Sequence, residues 1–187
     1  MADEMIDKGS ASAQAGSSAE SIGAADVRAA HDMAAFVQEC PSMFHAAASL
    51  RRRLDAAGFA YLPESKPWEV RRGGCYYTVR NNSSVIAFKV GARLDGYRFQ
   101  LTASHSDSPT YKVKAAPELS SPSGYMRLNV EAYGGVMDHT WFDRPLSVAG
   151  RVLVRSGSRV ESRLIAPDAD LLIVPRVPIH LDREANS

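Results

Sequence analysis

Phe99-Gln100-Leu101-Thr102-Ala103-Ser104-His105-Ser106-Asp107-Ser108-Pro109 is the stretch on which the fold turns. Phe99, Leu101 and Ala103 alternate with polar neighbours, so residues 99–103 are expected to form a strand. That strand runs directly into His-Ser-Asp. In open α/β sheets, ligands bind beyond the carboxyl ends of the strands. A neutral imidazole is a good zinc ligand, and a nearby carboxylate orients the ring and raises its basicity. The competing reading of the same triplet is a structural histidine at a strand end.

Upstream, the pattern also has period two. Residues 75–79 and 85–90 read as strands joined by Arg80-Asn81-Asn82-Ser83-Ser84, a turn-rich link that predicts a hairpin. Before them come two helices. Asp26 is a fair N-cap for the first, and Ala30, Met33, Val37 and Cys40 fall on one face until Pro41 ends it. Ser42 caps the second, where Met43, Ala47, Leu50, Leu54 and Ala57 make a stripe and Gly58 suits the left-handed position past the end. Both stripes read as core contacts. His31 is expected to be exposed, and His45 to pack or hydrogen-bond within the second helix. Residues 9–25 are mostly small, with little apolar surface to offset the entropy of ordering, so residues 1–24 read as a flexible tail.

Downstream, strands dominate. The Pro- and Ser-rich stretch from Pro117 to Ser123 suggests a domain boundary. Leu128, Val130 and Ala132 alternate with Arg127, Asn129 and Glu131, as in a strand with one buried and one wet face. Residues 146–154, 160–165 and 171–174 read as further strands. The fold class is therefore α/β, with helices plus a mixed sheet over residues 25–110 and a separate β-rich part over residues 111–187.

Within that second part, Tyr133-Gly134-Gly135 permits a sharp bend, and His139, Trp141, Asp143 and Arg144 follow it closely. The plain alternative has Trp141 and Phe142 as core and Asp143–Arg144 as a salt bridge. The glycine spacing excludes a phosphate-binding loop. His180-Leu181-Asp182-Arg183 offers a ligand, a capping group or a surface residue. No G-x-S-x-G elbow supports a serine nucleophile.

Composition narrows the function classes. The chain has 187 residues, 45% hydrophobic and 23% charged, with 22 Lys plus Arg against 21 Asp plus Glu. A general nucleic-acid binder would need a basic excess, so no nucleic-acid partner is expected. The run Arg51-Arg52-Arg53 reads as a solvated helix face. Cys40 and Cys75 are far apart and form no C-x-x-C pair, which argues against a disulfide framework or a thiolate zinc site. The first residues are acidic and lack an apolar signal region, and no apolar run is long enough to span a bilayer. A cytoplasmic protein with no membrane partner is expected.

Several segments, in order, now carry a resemblance. They are Cys40-Pro41-Ser42-Met43-Phe44-His45, Cys75-Tyr76-Tyr77-Thr78-Val79-Arg80-Asn81, residues 102–109 quoted above, Val130-Glu131-Ala132-Tyr133-Gly134-Gly135, residues 140–152 from Thr140 onward, and Ile179-His180-Leu181-Asp182-Arg183. Over about residues 26–184 the chain resembles the aspartyl-aminopeptidase-like zinc metallopeptidases. The resemblance implies an exopeptidase that removes N-terminal, often acidic, residues from peptides with two metal ions, zinc being the cofactor expected, and that assembles as a homo-oligomer. It makes His105 a metal ligand and Asp107 the carboxylate paired with it. It places His139 in a loop that reaches a neighbouring subunit's site and stabilises the reacting carbonyl, and it gives His180 a motif position without a ligand role. Residues 25–110 would begin the catalytic domain, and residues 111–187 would begin an inserted assembly domain.

Family members are considerably longer. Their bridging Asp, adjacent Glu pair, further Asp and final His have no counterpart in these 187 residues. A catalytic zinc takes about three protein ligands plus water, and the chemistry also needs a base. The expectation is an N-terminal part of the enzyme, inactive by itself and either aggregation-prone or partly disordered. A non-catalytic oligomerising module derived from the family is the alternative. A binder of one metal through His105 is a third reading.

Overall fold

A computed structural model describes residues 22–93, 95–96, 98–121, 124–181 and 183–184. The expected tail over residues 1–24 lies outside the described residues as far as residue 21. The chain divides into two compact units, Met1–Ala35 and Phe36–Ser187. The division falls within the first helix, α1 (Ala24–Glu39).

In the first unit, α1 starts before the expected cap. The Asp26 carboxylate instead reaches back to accept the Gly23 amide at 2.8 Å, which satisfies a donor that a helix start leaves free. The stripe expected to make core contacts is not buried: no described residue of α1 is buried, and Met33 and Val37 are exposed, while His31 is exposed as expected.

The second unit holds the core. Helix α2 (Met43–Ala56) is capped by Ser42, and Gly58 lies just past its end with φ +78°, both as the sequence predicts. Three strands form a mixed sheet in the order β1 (Ala60–Tyr61), β2 (Cys75–Arg80), β3 (Ser84–Lys89). β1 runs parallel to β2, and β2 pairs antiparallel with β3 through the predicted hairpin. Asn81 and Asn82 take positive φ in its turn, a conformation that Asn tolerates better than most side chains. α2 packs against β3, and Tyr77 of β2 reaches Asp55 of α2 at 2.6 Å. Among the described residues the buried ones are Ala46, Ala47 and Ser49 of α2, Leu62, and Tyr76, Tyr77, Thr78 and Val79 of β2.

Two ribbons follow. β4 (Thr110–Leu119) pairs antiparallel with β5 (Arg127–Tyr133), with a bulge between Val113 and Glu118. β6 (Gly150–Ser156) pairs with β7 (Arg159–Ile165) in unbroken register. A short 3₁₀ turn, Asp138–Thr140, lies between them.

Several expectations need correction. Residues 99–103 form no strand, because no described segment runs beside them, and Phe99 and Leu101 are 82% and 88% exposed. Apolar alternation alone does not make a strand when no ladder partner is present. Residues 171–174 are tied only by isolated bridges, Leu172 to Leu146 and Val174 to Phe142. The strand expected from residue 146 accordingly begins at Gly150. β5 does not bury one face, since Val130 and Ala132 are exposed and nothing packs over that side of a two-stranded ribbon. Pro117, expected near a boundary, lies inside β4 beside the bulge, where a missing amide costs no ladder bond.

Candidate functional site

The His105 segment has no strand to hold it, so other contacts fix it. Ser106 Oγ donates to the Ser83 carbonyl at 3.0 Å, which ties the segment to the β2–β3 turn. Three residues past Asp107, Thr110 enters β4 and pairs with Tyr133, the last residue of β5. Pro109 stiffens the intervening link. Gly134 turns the chain away directly after Tyr133 with φ +77°, and a side chain built there would lie 3.6 Å from Pro109. The root of this ribbon therefore lies against the His-Ser-Asp segment.

Asp107 sits between two partners. His105 Nδ1 lies 3.0 Å from its Oδ1, and the Tyr133 hydroxyl donates to its Oδ2 at 2.5 Å. Its side chain is 27% exposed, against 91% for His105. The Tyr133 hydrogen bond, followed by that of His105, holds the Asp107 carboxyl below the usual carboxylate range. The same contact raises the Tyr133 phenol above its ordinary value. An ionised carboxylate only accepts hydrogen bonds, so Nδ1 is the donor to Asp107, and in the neutral form of the ring Nε2 carries the free lone pair. That lone pair sits on an exposed ring, which is the arrangement of a ligating imidazole and its orienting carboxylate.

The other expected residues lie apart from this pair. His139 is exposed in the 3₁₀ turn, and among the described residues no hydrogen bond or ion pair joins it to His105 or Asp107. Its turn is anchored from below: Tyr111 of β4 donates to Asp138 and meets Trp141 edge-on at 5.2 Å. Trp141 and Phe142 are half-buried rather than core. Asp143 does not pair with Arg144; it accepts the Arg176 amide at 3.0 Å, while Arg144 donates to the Thr140 carbonyl. His180 is exposed in a turn, and Asp182 lies outside the described residues. His45 is half-buried, with its Nδ1 2.8 Å from Ser42 Oγ. Tyr133 is the site residue that sequence reasoning missed. Its only signal was a position at the end of an alternating strand before two glycines.

Among the described residues no group of three or more His, Cys, Asp or Glu could hold a metal ion. His105 and Asp107 fit one ligand and its support; they do not make a complete zinc site, which takes about three protein donors.

Comparison with known proteins gives the context. The family described as aminopeptidase I zinc metalloprotease (M18) matches residues 36–187. A probable M18 family aminopeptidase 2 of Ectopseudomonas mendocina is 48% identical over 153 residues, covering 81% of this chain and 35% of the relative. The chain thus spans about a third of the length of the curated relatives it matches. A solved structure of the Ape4 and Nbr1 complex superposes with a TM-score of 0.77 at 41% identity, covering 84% of this chain and 30% of that one. The S. cerevisiae mApe1 dodecamer superposes with a TM-score of 0.68 at 27% identity, covering 80% and 36%.

Proposed function

The chain belongs to the aminopeptidase I zinc metalloprotease family, M18, and from that premise we propose that it forms part of a metalloaminopeptidase that removes N-terminal residues, acidic ones in particular, from peptides. Its contribution is His105 as a metal ligand and Asp107 as the carboxylate that fixes the ring. The observation that carries this reading is the 3.0 Å contact between His105 Nδ1 and an ionised Asp107, which leaves Nε2 free on an exposed ring. Residues 25–110 serve the catalytic domain, and residues 111–187 begin an assembly domain. His139, exposed in its 3₁₀ turn, acts at a neighbouring subunit's site within a homo-oligomer. One imidazole cannot hold two zinc ions, so the remaining donors come from outside the described residues, and the 187-residue chain alone is inactive. Two unpaired cysteines support a cytoplasmic location. No described helix is long and apolar enough to cross a membrane.

Fragment complementation tests this. The chain is mixed with zinc, a peptide bearing N-terminal Asp or Glu, and a polypeptide covering the remaining length of the Ectopseudomonas mendocina relative. Release of the free amino acid is expected only when both polypeptides are present, and it should vanish with His105→Ala. Full release with His105→Ala would overturn the ligand assignment, and release by the chain alone would overturn its inactivity. The second reading, a non-catalytic oligomerising module, draws support from the exposed Leu153 and Val160 of the β6–β7 ribbon. Stable association of the two polypeptides without turnover would favour it.

A further inference from the structure

We propose that Tyr133 is a positioning residue for the site, acting through Asp107 to fix the His105 ring. The proposal rests on the reading of His105 and Asp107 as ligand and support, and adds to it the element that holds the support in place.

A carboxylate with one partner turns freely about its Cβ–Cγ bond and exchanges its two oxygens at that partner. Asp107 does not have this freedom. Oδ1 faces His105 Nδ1 at 3.0 Å while Oδ2 accepts the Tyr133 hydroxyl at 2.5 Å, so each oxygen has its own donor. Hydrogen bonds from a hydroxyl to an ionised carboxylate are stronger than those between neutral groups. His105 itself is 91% exposed, and among the described residues Asp107 is its one hydrogen-bond partner, so no other described contact fixes its orientation.

What fixes Tyr133 is backbone. It pairs with Thr110, and the ladder continues through Tyr111 with Ala132, Lys112 with Glu131 and Val113 with Val130. Thr110 is three residues from Asp107, so the donor and acceptor close a small loop whose other side is the ribbon root. On the far side, Ser106 Oγ anchors the segment to the Ser83 carbonyl. The β4–β5 ribbon thereby reaches the His-Ser-Asp segment through one hydroxyl. A phenyl ring at residue 133 would keep the strand residue and its bulk and lose only that contact. The consequence reaches the imidazole: once Asp107 can rotate, the Nδ1–H tautomer that leaves Nε2 free loses its fixed acceptor.

The test uses the full chain without metal and reads the His105 ring by long-range ¹H–¹⁵N correlation at neutral pH. In the wild-type chain the Nδ1–H tautomer is expected to dominate. Tyr133→Phe should convert it to a mixture of tautomers, and Asp107→Asn should abolish the preference. Amide exchange across the β4–β5 ladder in Tyr133→Phe should match the wild type, separating the loss of a hydroxyl from the loss of the ribbon. An unchanged His105 tautomer in Tyr133→Phe, with Asp107→Asn still shifting it, overturns the role of Tyr133 and leaves the His105–Asp107 pair standing. If neither substitution moves the ring, the pair and the site reading built on it fall together. Should Tyr133→Phe lose the ribbon, the wild-type hydroxyl proton decides: slow exchange with water supports the proposal, and free exchange overturns it.

Discussion

Thr78 is only 5% exposed, and its hydroxyl has no hydrogen-bond partner among the described residues. A buried polar group without a partner costs its desolvation, so Thr78→Val should leave stability unchanged or raise it by up to about 1 kcal/mol, read from the urea midpoint. Its neighbour Tyr77 behaves oppositely: its hydroxyl is satisfied by Asp55 at 2.6 Å. His45 gives a pH signature. Burial lowers its pKa below 6.5, so the unfolded chain binds the proton first. The stability linked to that site is complete above the unfolded value and is lost as pH falls through the lower folded one. The urea midpoint should drop from about pH 7 toward about pH 5, and His45→Gln should flatten part of that slope. At this scale the sequence made His105 and Asp107 legible, because two residues of spacing guarantee proximity. It could not place Tyr133 beside them, because its separation of 26 positions from Asp107 is closed by a ribbon register that no local pattern encodes.

Between elements, the most informative contact is Arg151 of β6. Its guanidinium donates to the Asn81 carbonyl at 2.8 Å and to the Asn81 side-chain oxygen at 3.2 Å, and it lies 4.3 Å from the centre of the Phe44 ring. One side chain thus joins the β6–β7 ribbon to the β2–β3 turn and to α2. Arg151→Ala should cost about 1–2 kcal/mol from the lost hydrogen bonds and ring contact. Arg151→Lys should recover less than half of that, since an ammonium lacks the planar fork. Faster amide exchange in β6 and β7 with unchanged exchange in β2 would locate the effect. α2 and the β2–β3 hairpin were legible because Ser42, Gly58 and the Asn81-Asn82 turn are local signals that agree with the apolar pattern. β4 was not, because its alternation of Tyr111, Val113 and Ala115 with Lys112 and Lys114 is short and breaks at Ala116-Pro117, along a ribbon that buries neither face. Residues 99–103 failed in the reverse sense, with a strand-like pattern and no described strand to pair with.

For the second unit as a whole, the balance is between a small core and much uncovered apolar surface. Among the described residues the buried hydrophobic ones are Ala46, Ala47, Leu62, Tyr76, Tyr77 and Val79, whereas Leu101, Leu153, Val160 and Ile173 are all 60% exposed or more. Large uncovered apolar patches and open ribbon edges favour association. Light scattering by the isolated chain should therefore rise with concentration at about micromolar levels, and the complementing polypeptide should suppress it. Concentration-independent scattering would argue that these surfaces are self-sufficient. The α/β followed by β arrangement was legible from the order of periodicities. How little of it would be buried was not, because burial depends on neighbours that a linear pattern does not count. Among the described residues every buried side chain lies between Ala46 and Val79, and β3 completes the hairpin by Lys89. During synthesis, which runs N-terminus first, this nucleus can assemble before Arg151 has left the ribosome. The later ribbon then docks onto a surface already in place, so the turn at Asn81 acts as a receiving catch in the order of assembly.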